Sequence, residues 1–120
     1  MGGTALGSLD IGIVGCGVAG QAAAGFLADA GHRVTVLECF EQPHPVGAGL
    51  LLQPTGLSVL RALGLEQDAL SAGARIDGVL GENQWGIRIL DLAYGDLHPD
   101  AFSLGIRRSV LFDLLHRRLR

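Results

Sequence analysis

The sequence has few of the features that would indicate a secreted, membrane-spanning or nucleic-acid-binding protein. Its only two cysteines, Cys16 and Cys39, form neither a CxxC pair nor a disulfide framework, as is usual in the reducing cytoplasm. No run of about eighteen apolar residues occurs, so no membrane span is expected. Nine basic residues against twelve acidic ones give a net charge of −3, which argues against nucleic acid as a partner. We therefore expect a cytoplasmic protein with neither membrane nor nucleic acid as partner.

The usual signatures of hydrolytic, redox-thiol and metal chemistry are also missing. There is no GxSxG nucleophile turn and no HExxH pair, and the four histidines are scattered along the chain. The sequence therefore predicts no metal site and offers no catalytic acid, base or nucleophile.

Glycine and aliphatic residues are abundant instead: glycine makes up 19 of the 120 residues, whereas aromatic residues make up only 5%. Residues 9–14 predict a short buried strand, and residues 21–30 predict a helix with Phe26 and Leu27 on its inner face. Residues 33–38 predict a second strand, whose near-continuous apolar character is typical of parallel strands covered on both faces. This order indicates a right-handed βαβ unit.

A long loop and several shorter elements are predicted for the rest of the chain. Residues 40–53 are rich in Gly and Pro and have no helical periodicity, and a loop of that length is usually functional or disordered. The elements predicted after it are a helix over residues 54–63, a short helix over 66–72, strands over 76–81 and 86–92, and a final helix that reaches residue 120.

A GxGxxG pattern lies between the first predicted strand and its helix. Each glycine has a physical role: Gly15 permits the tight turn, Gly17 lets the backbone approach a pyrophosphate, and Gly20 lets helix and strand pack closely. Val18 and Ala19 lie in this loop and are candidate cofactor-binding residues, and the N–H groups of the first helical turn and the helix dipole favour phosphate there.

The acidic residue that this fingerprint requires is Glu38, which ends the second strand roughly 20 residues further on. Its carboxylate is placed to accept hydrogen bonds from both hydroxyls of an adenosine ribose, and its charge would repel a 2′-phosphate. Strand, loop, helix and acidic residue together predict a site for the ADP half of a dinucleotide.

FAD and NAD share that ADP half, so the fingerprint leaves three interpretations open. The chain is the FAD-binding part of a monooxygenase, the NAD-binding half-domain of a dehydrogenase, or a non-catalytic dinucleotide-binding module. A nicotinamide dehydrogenase would ordinarily continue with a short loop, a helix and a third parallel strand. The long loop found here favours an extended cofactor such as FAD.

At this point the sequence resembles the FAD-dependent monooxygenases of the aromatic hydroxylase type, the group of salicylate and para-hydroxybenzoate hydroxylases. The resemblance is carried by residues 11–38, by VGAGLLLQP at 46–54, by LRALGL at 60–65, and by IRRSVL at 106–111 with Leu114 and Leu115 after it. These segments cover most of the chain in the family's order and spacing.

The resemblance implies particular cofactor contacts. It assigns the pyrophosphate to residues 15–20 and the adenosine ribose to Glu38. It places Gly47 and Gly49 along the flavin, and it gives phosphate or ribityl oxygens to Arg108, with Arg107 as the close competitor. Cys39 departs from the pattern, since many relatives carry Arg there.

The resemblance also implies the fold, the domains and the reaction. The fold expected is α/β, an incomplete Rossmann-like FAD-binding domain with a parallel sheet and flanking helices, joined to part of a β-rich substrate domain. The boundaries expected are a flexible leader at 1–8, the FAD-binding unit at 9–75, substrate-domain strands at 76–104 and a return helix at 105–120.

The activity implied is the hydroxylation of a small aromatic substrate with NAD(P)H and O2. Relatives run to several hundred residues and carry two further flavin motifs that this sequence lacks. The chain therefore resembles the N-terminal third of such an enzyme, and we expect these 120 residues alone not to hydroxylate.

Overall fold

A computed structural model describes residues 7–41 and 47–120 of the chain. Most of the predicted leader and part of the long loop therefore lie outside the described residues. In chain order the elements are β1 (Asp10–Val14), α1 (Val18–Asp29), β2 (Arg33–Leu37), β3 (Gly49–Leu52), α2 (Pro54–Ala62), α3 (Glu66–Ala72), β4 (Ala74–Ile76), β5 (Gly78–Glu82), β6 (Arg88–Ala93), a 3-10 turn (Tyr94–Asp96), β7 (Ser103–Arg107) and α4 (Arg108–Arg118).

The first three elements form the predicted βαβ unit. Strands β1 and β2 pair in parallel, with Ile11 opposite Val34 and Ile13 opposite Val36. Helix α1 begins at Val18, three residues earlier than the sequence suggested, and Gly31 just beyond its end has a φ of 88°. A left-handed glycine at this point lets the chain leave the helix and enter β2.

Two details of that unit were predicted wrongly. Phe26 does not face inward but is 40% exposed, because the buried face of α1 consists of Gln21, Ala24 and Gly25. Nor are β1 and β2 covered on both faces within the described ranges, since Val14 is 87% exposed and alternate residues of both strands face outward. Helix α1 covers one face of the pair only.

The structure contains a second sheet of three strands, which the sequence did not predict. It is antiparallel with the order β3-β7-β4, and it places Gly49 opposite Arg107 and Ile76 opposite Ser103. Residues 49–52 were expected to be loop and instead form β3. The strand expected over 76–81 is split, because Ile76 ends β4 and β5 begins at Gly78.

Helices α2, α3 and α4 pack on one face of this second sheet and form the main core. The predicted α2 and α3 are confirmed, with Gly64 in a left-handed conformation at the end of α2, and α4 ends at Arg118 rather than at residue 120. The hairpin of β5 and β6 lies largely exposed. The buried members of the core are Leu57, Leu60, Leu63, Leu65, Ala69, Leu104, Ile106, Leu111, Leu114 and Leu115.

Among the helices of the described ranges, none has both the length and the apolar character that crossing a bilayer requires.

Candidate cofactor-binding site

The glycine loop turns tightly between β1 and α1. Gly15 has a φ of 102°, where an L-residue would be strained, and its N–H donates to the Leu37 carbonyl at 2.7 Å. A Cβ on Gly20 would collide with the carbonyl oxygen of Gly15 and would contact Ile13. Glycine at position 20 therefore allows α1 to approach the loop and the strand closely, as the fingerprint requires.

Gly17 differs from Gly20, because open space surrounds the position where a Cβ would lie. No heavy atom lies within 4 Å of a Cβ built on this residue, and its φ of −75° is one that any residue adopts. The N–H of Gly17 has no acceptor within residues 7–41 and 47–120. Val18 and Ala19 follow as the first residues of α1, whose opening N–H groups have no intrahelical partner.

Glu38 lies directly after β2, beside the glycine loop. Its Oε2 accepts the Cys16 N–H at 2.9 Å, and its Oε1 accepts the backbone N–H groups of Cys39 at 2.7 Å and Phe40 at 3.3 Å. The Cys16 N–H foremost, then a 3.2 Å hydrogen bond from the Cys39 thiol to Oε1 and the other two N–H groups, lower the pKa of the Glu38 carboxyl to about 2. The group is therefore a carboxylate at neutral pH, and Oε2, which accepts one bond here, keeps a lone pair for a ribose hydroxyl.

Cys16 contributes its backbone rather than its thiol. Its side chain is 6% exposed, and burial, followed by the negative charge of Glu38, raises the pKa of the thiol. Its N–H donates to Glu38, and its carbonyl accepts the side-chain amide of Gln21 at 2.9 Å. Reasoning from the sequence missed Gln21, although an amide among the alanines of a packed helix was a usable signal.

The glycine loop and Glu38 form a first cluster of predicted cofactor-binding residues. A second cluster, made of Gly47, Gly49, Arg107 and Arg108, is brought together by the pairing of β3 with β7. The Arg108 N–H donates to the Ala48 carbonyl at 3.2 Å, and a Cβ on Gly47 would lie 3.5 Å from Cδ of Arg108. Gly47 has a φ of 100°, and Gly49 pairs with Arg107. The structure thus brings Gly47, Gly49 and both arginines together, with the Arg108 side chain against Gly47.

Helices α1 and α4 each begin at one of the two clusters. The helices pack together, and Arg118 near the end of α4 forms an ion pair at 2.6 Å with Asp29, the last residue of α1. At the other end, Val18 and Ala19, the first two residues of α1, line one cavity with Leu111 of the first turn of α4. The positive ends of the helix dipoles and the cationic Arg108 at the start of α4 favour a negatively charged group.

The arrangement fits the ADP half of a dinucleotide in three respects. The Gly17 N–H has no acceptor among the described residues, and open space surrounds the position that a Cβ on Gly17 would occupy. An ionised acceptor, Glu38, lies within hydrogen-bond distance of the same loop. Arg108 supplies a cation at the neighbouring helix end.

The family of the chain follows from comparison with known proteins. The profile of a family described as an FAD binding domain matches residues 8–112. The chain belongs to this family, and its cofactor is FAD.

The similar proteins include enzymes that are named as monooxygenases or oxygenases. The 3-amino-4-hydroxybenzoate 2-monooxygenase of Streptomyces cremeus is 42% identical over 65 residues, which cover 54% of this chain and 16% of that protein. The tetrameric form of 2-methyl-3-hydroxypyridine-5-carboxylic acid oxygenase superimposes with a TM-score of 0.81 at 25% identity, over 96% of this chain and 30% of that one.

A third similar protein is pqsL, a probable FAD-dependent monooxygenase from Pseudomonas aeruginosa. Its TM-score is 0.78 at 26% identity, with 92% of this chain and 29% of that one covered. The chain thus spans less than a third of each relative's own length.

Proposed function

We propose that the chain is the FAD-binding part of a flavin-dependent monooxygenase and that its glycine loop and Glu38 hold the ADP half of the cofactor. The observation that carries this proposal is the 2.9 Å hydrogen bond from the Cys16 N–H to Glu38, which fixes the carboxylate beside the loop. A phosphate-binding loop and a ribose-binding carboxylate must lie this close to serve one ADP group.

The roles proposed for the first cluster follow from its donors and acceptors. The N–H groups of Gly17, Val18 and Ala19 would bind pyrophosphate oxygens, while Gly15 and Gly20 give the loop its shape. Glu38 would accept the ribose hydroxyls, and its permanent charge disfavours a 2′-phosphate in their place.

The second cluster would hold the middle of the cofactor. Gly47 and Gly49 would lie along the flavin, and Arg108 would bind phosphate or ribityl oxygens. We assign this role to Arg108 rather than Arg107 because the Arg108 side chain lies against Gly47 and because Arg108 is the first residue of α4.

The activity proposed for the whole protein is hydroxylation of a small aromatic compound with NAD(P)H and O2. Bound FAD supplies the redox and oxygen chemistry, and the part of the protein described here binds and orients it. The relatives' names support an aromatic substrate. We propose that the β5–β6 hairpin belongs to a substrate-binding sheet and that these 120 residues alone do not hydroxylate. We also propose that the protein works in the cytoplasm.

The dehydrogenase and the non-catalytic module are less well supported. Membership of an FAD-binding family favours FAD over NAD as the resident dinucleotide. A titration that follows quenching of flavin fluorescence, with NAD added as competitor, separates FAD from NAD. We expect FAD to bind and NAD to compete poorly. Binding of NAD without binding of FAD would contradict the proposal.

The site itself is tested by Glu38→Arg and by the milder Glu38→Gln. Loss of charge-assisted hydrogen bonds to the ribose should weaken FAD binding by roughly tenfold or more. Glu82→Arg, the same charge change on the exposed hairpin, is the matched control and should bind FAD like the unmodified chain. Unchanged FAD affinity in both Glu38 variants would remove this residue from the site.

A further inference from the structure

Gln21 is a polar side chain buried where an apolar one would pack as well. It lies in α1, one residue beyond the glycine loop, and is only 1% exposed. Its side-chain Nε2 donates to the Cys16 carbonyl at 2.9 Å. The amide therefore reaches back into the loop that precedes its own helix.

The cost of burying this amide is only partly offset. Its Oε1 is buried and has no hydrogen-bond partner in the part of the chain that the structure describes. An acceptor left unpaired in the interior lowers stability, and an aliphatic residue of similar size would avoid that penalty. An aliphatic residue would, however, leave the Cys16 carbonyl without its Gln21 donor, so glutamine exchanges one unpaired acceptor for another and gains little stability.

The geometry of the peptide between Cys16 and Gly17 supplies a reason for glutamine at this position. In a planar trans peptide the C=O and the N–H point in opposite directions. No cis peptide bond occurs in the described ranges. Because Gln21 holds the Cys16 carbonyl toward the interior, the N–H of Gly17 points outward.

The outward side of this peptide is the side proposed to face phosphate. The Gly17 N–H has no acceptor within the described residues, and open space surrounds the position of its missing Cβ. If the peptide turned over, the Cys16 carbonyl would present a negative dipole to an anion where the N–H now presents a positive one. Correct orientation of this one peptide therefore decides whether the loop attracts or repels phosphate at that point.

We infer that Gln21 is a positioning residue, which holds the Cys16 carbonyl inward and thereby aims the Gly17 N–H at the cofactor's diphosphate. This inference rests on the proposed role of the loop. It assigns Gln21 no contact with the cofactor.

The test replaces Gln21 with methionine, which keeps an unbranched side chain of similar length without the amide donor. ADP serves as the probe, and its affinity is measured by calorimetry on the full 120-residue chain. Gln67→Met in α3 is the matched control, because it makes the same change on an exposed helix surface. Gln21→Leu is a second variant in case the methionine protein does not fold.

We expect the Gln21 variants to bind ADP roughly three- to tenfold more weakly, the range for loss of one hydrogen bond from a backbone N–H to an anion. In ¹H–¹⁵N spectra, ADP should move the Gly17 amide resonance of the unmodified chain. The same resonance should respond less in the variants, while the Val18 and Ala19 resonances still respond. Gln67→Met should match the unmodified chain in both measurements.

Two results would overturn the inference without touching the proposed function. One is an unchanged ADP affinity and Gly17 response in the Gln21 variants. The other is an equal loss of response at all three amides together with a lower unfolding midpoint, which would mean a purely structural role. Failure of the unmodified chain to bind ADP or FAD would instead overturn the proposed function, and this inference with it.

Discussion

Glu38 and Cys16 are joined by a hydrogen bond of 2.9 Å from the Cys16 N–H to the Glu38 carboxylate. The bond connects the end of β2 to the loop that follows β1, so the proposed ribose acceptor and the proposed phosphate loop form one unit. A substitution at either residue should therefore change the position of the other.

The pH dependence of stability should report this bond. The carboxyl of Glu38 has a pKa of about 2 in the folded chain against an ordinary value of 4.5. Because this pKa is lower in the folded chain than in the unfolded chain, ionisation of Glu38 stabilises the folded state above pH 4.5. That contribution is lost as the pH falls toward 2. Urea unfolding should show Glu38→Gln to be less stable than the unmodified chain at pH 7, and the gap should close as the pH approaches 2. A gap independent of pH would contradict the prediction.

Alanine at Gly20 should damage both the fold and the site. Its Cβ would collide with the backbone carbonyl of Gly15, which no side-chain movement relieves. We expect a loss of about 1–3 kcal/mol in the free energy of unfolding and a large loss of FAD affinity. Denaturant unfolding and fluorescence titration measure the two effects.

Alanine at Gly17 should separate those two effects. The position has a common φ and free space around it, so unfolding should change by no more than about 0.5 kcal/mol. The added methyl group faces the proposed diphosphate and should still weaken FAD binding. If Gly17→Ala bound FAD normally, the cofactor would not approach this side of the loop.

Arg108→Ala and Arg107→Ala should differ in their effect on FAD. Removal of a guanidinium that binds phosphate or ribityl oxygens should weaken FAD by roughly tenfold or more. We expect that loss for Arg108, whose side chain lies against Gly47, and a small change for Arg107. Titration of both variants under the same salt concentration gives the comparison, and a larger loss for Arg107 would reverse the assignment.

The two cysteines should react differently with an alkylating reagent. Cys39 is exposed, whereas Cys16 is buried with a raised pKa. Mass spectrometry after brief treatment with iodoacetamide at neutral pH should find label on Cys39 first, and equal labelling would mean that the loop opens readily. Glu38 also raises the pKa of the Cys39 thiol, so its reaction should speed up in Glu38→Gln.

The first half of the site was predictable because its signals are local. Gly15, Gly17 and Gly20 have roles that follow from the lack of a Cβ, and the position of Glu38 follows from the length of one βαβ unit. Helices α2 and α3 were also predictable, since Gly64 and Gly73 mark their ends.

The second half depended on pairing between distant segments, which single-sequence patterns do not reveal. Residues 49–52 include three consecutive leucines without alternation, so nothing local distinguished β3 from loop. Strand β7 forms because its residues pair with β3 and β4 on either side. The inward position expected for Phe26 failed because α1 packs closely through Gly25, against Leu63. The role of Gln21 depends on the direction of one carbonyl, which no sequence pattern states.

The central position of β7 also has a consequence for the kinetics of folding. Its pairing of Arg107 with Gly49 closes a long stretch of chain, and such non-local contacts form slowly. The Arg108 end of the site is therefore complete only after that closure, later than the local α1 and α2 helices. In a refolding experiment, quenching of flavin fluorescence should lag behind the recovery of helical circular dichroism, which makes FAD a reporter of the last step of folding.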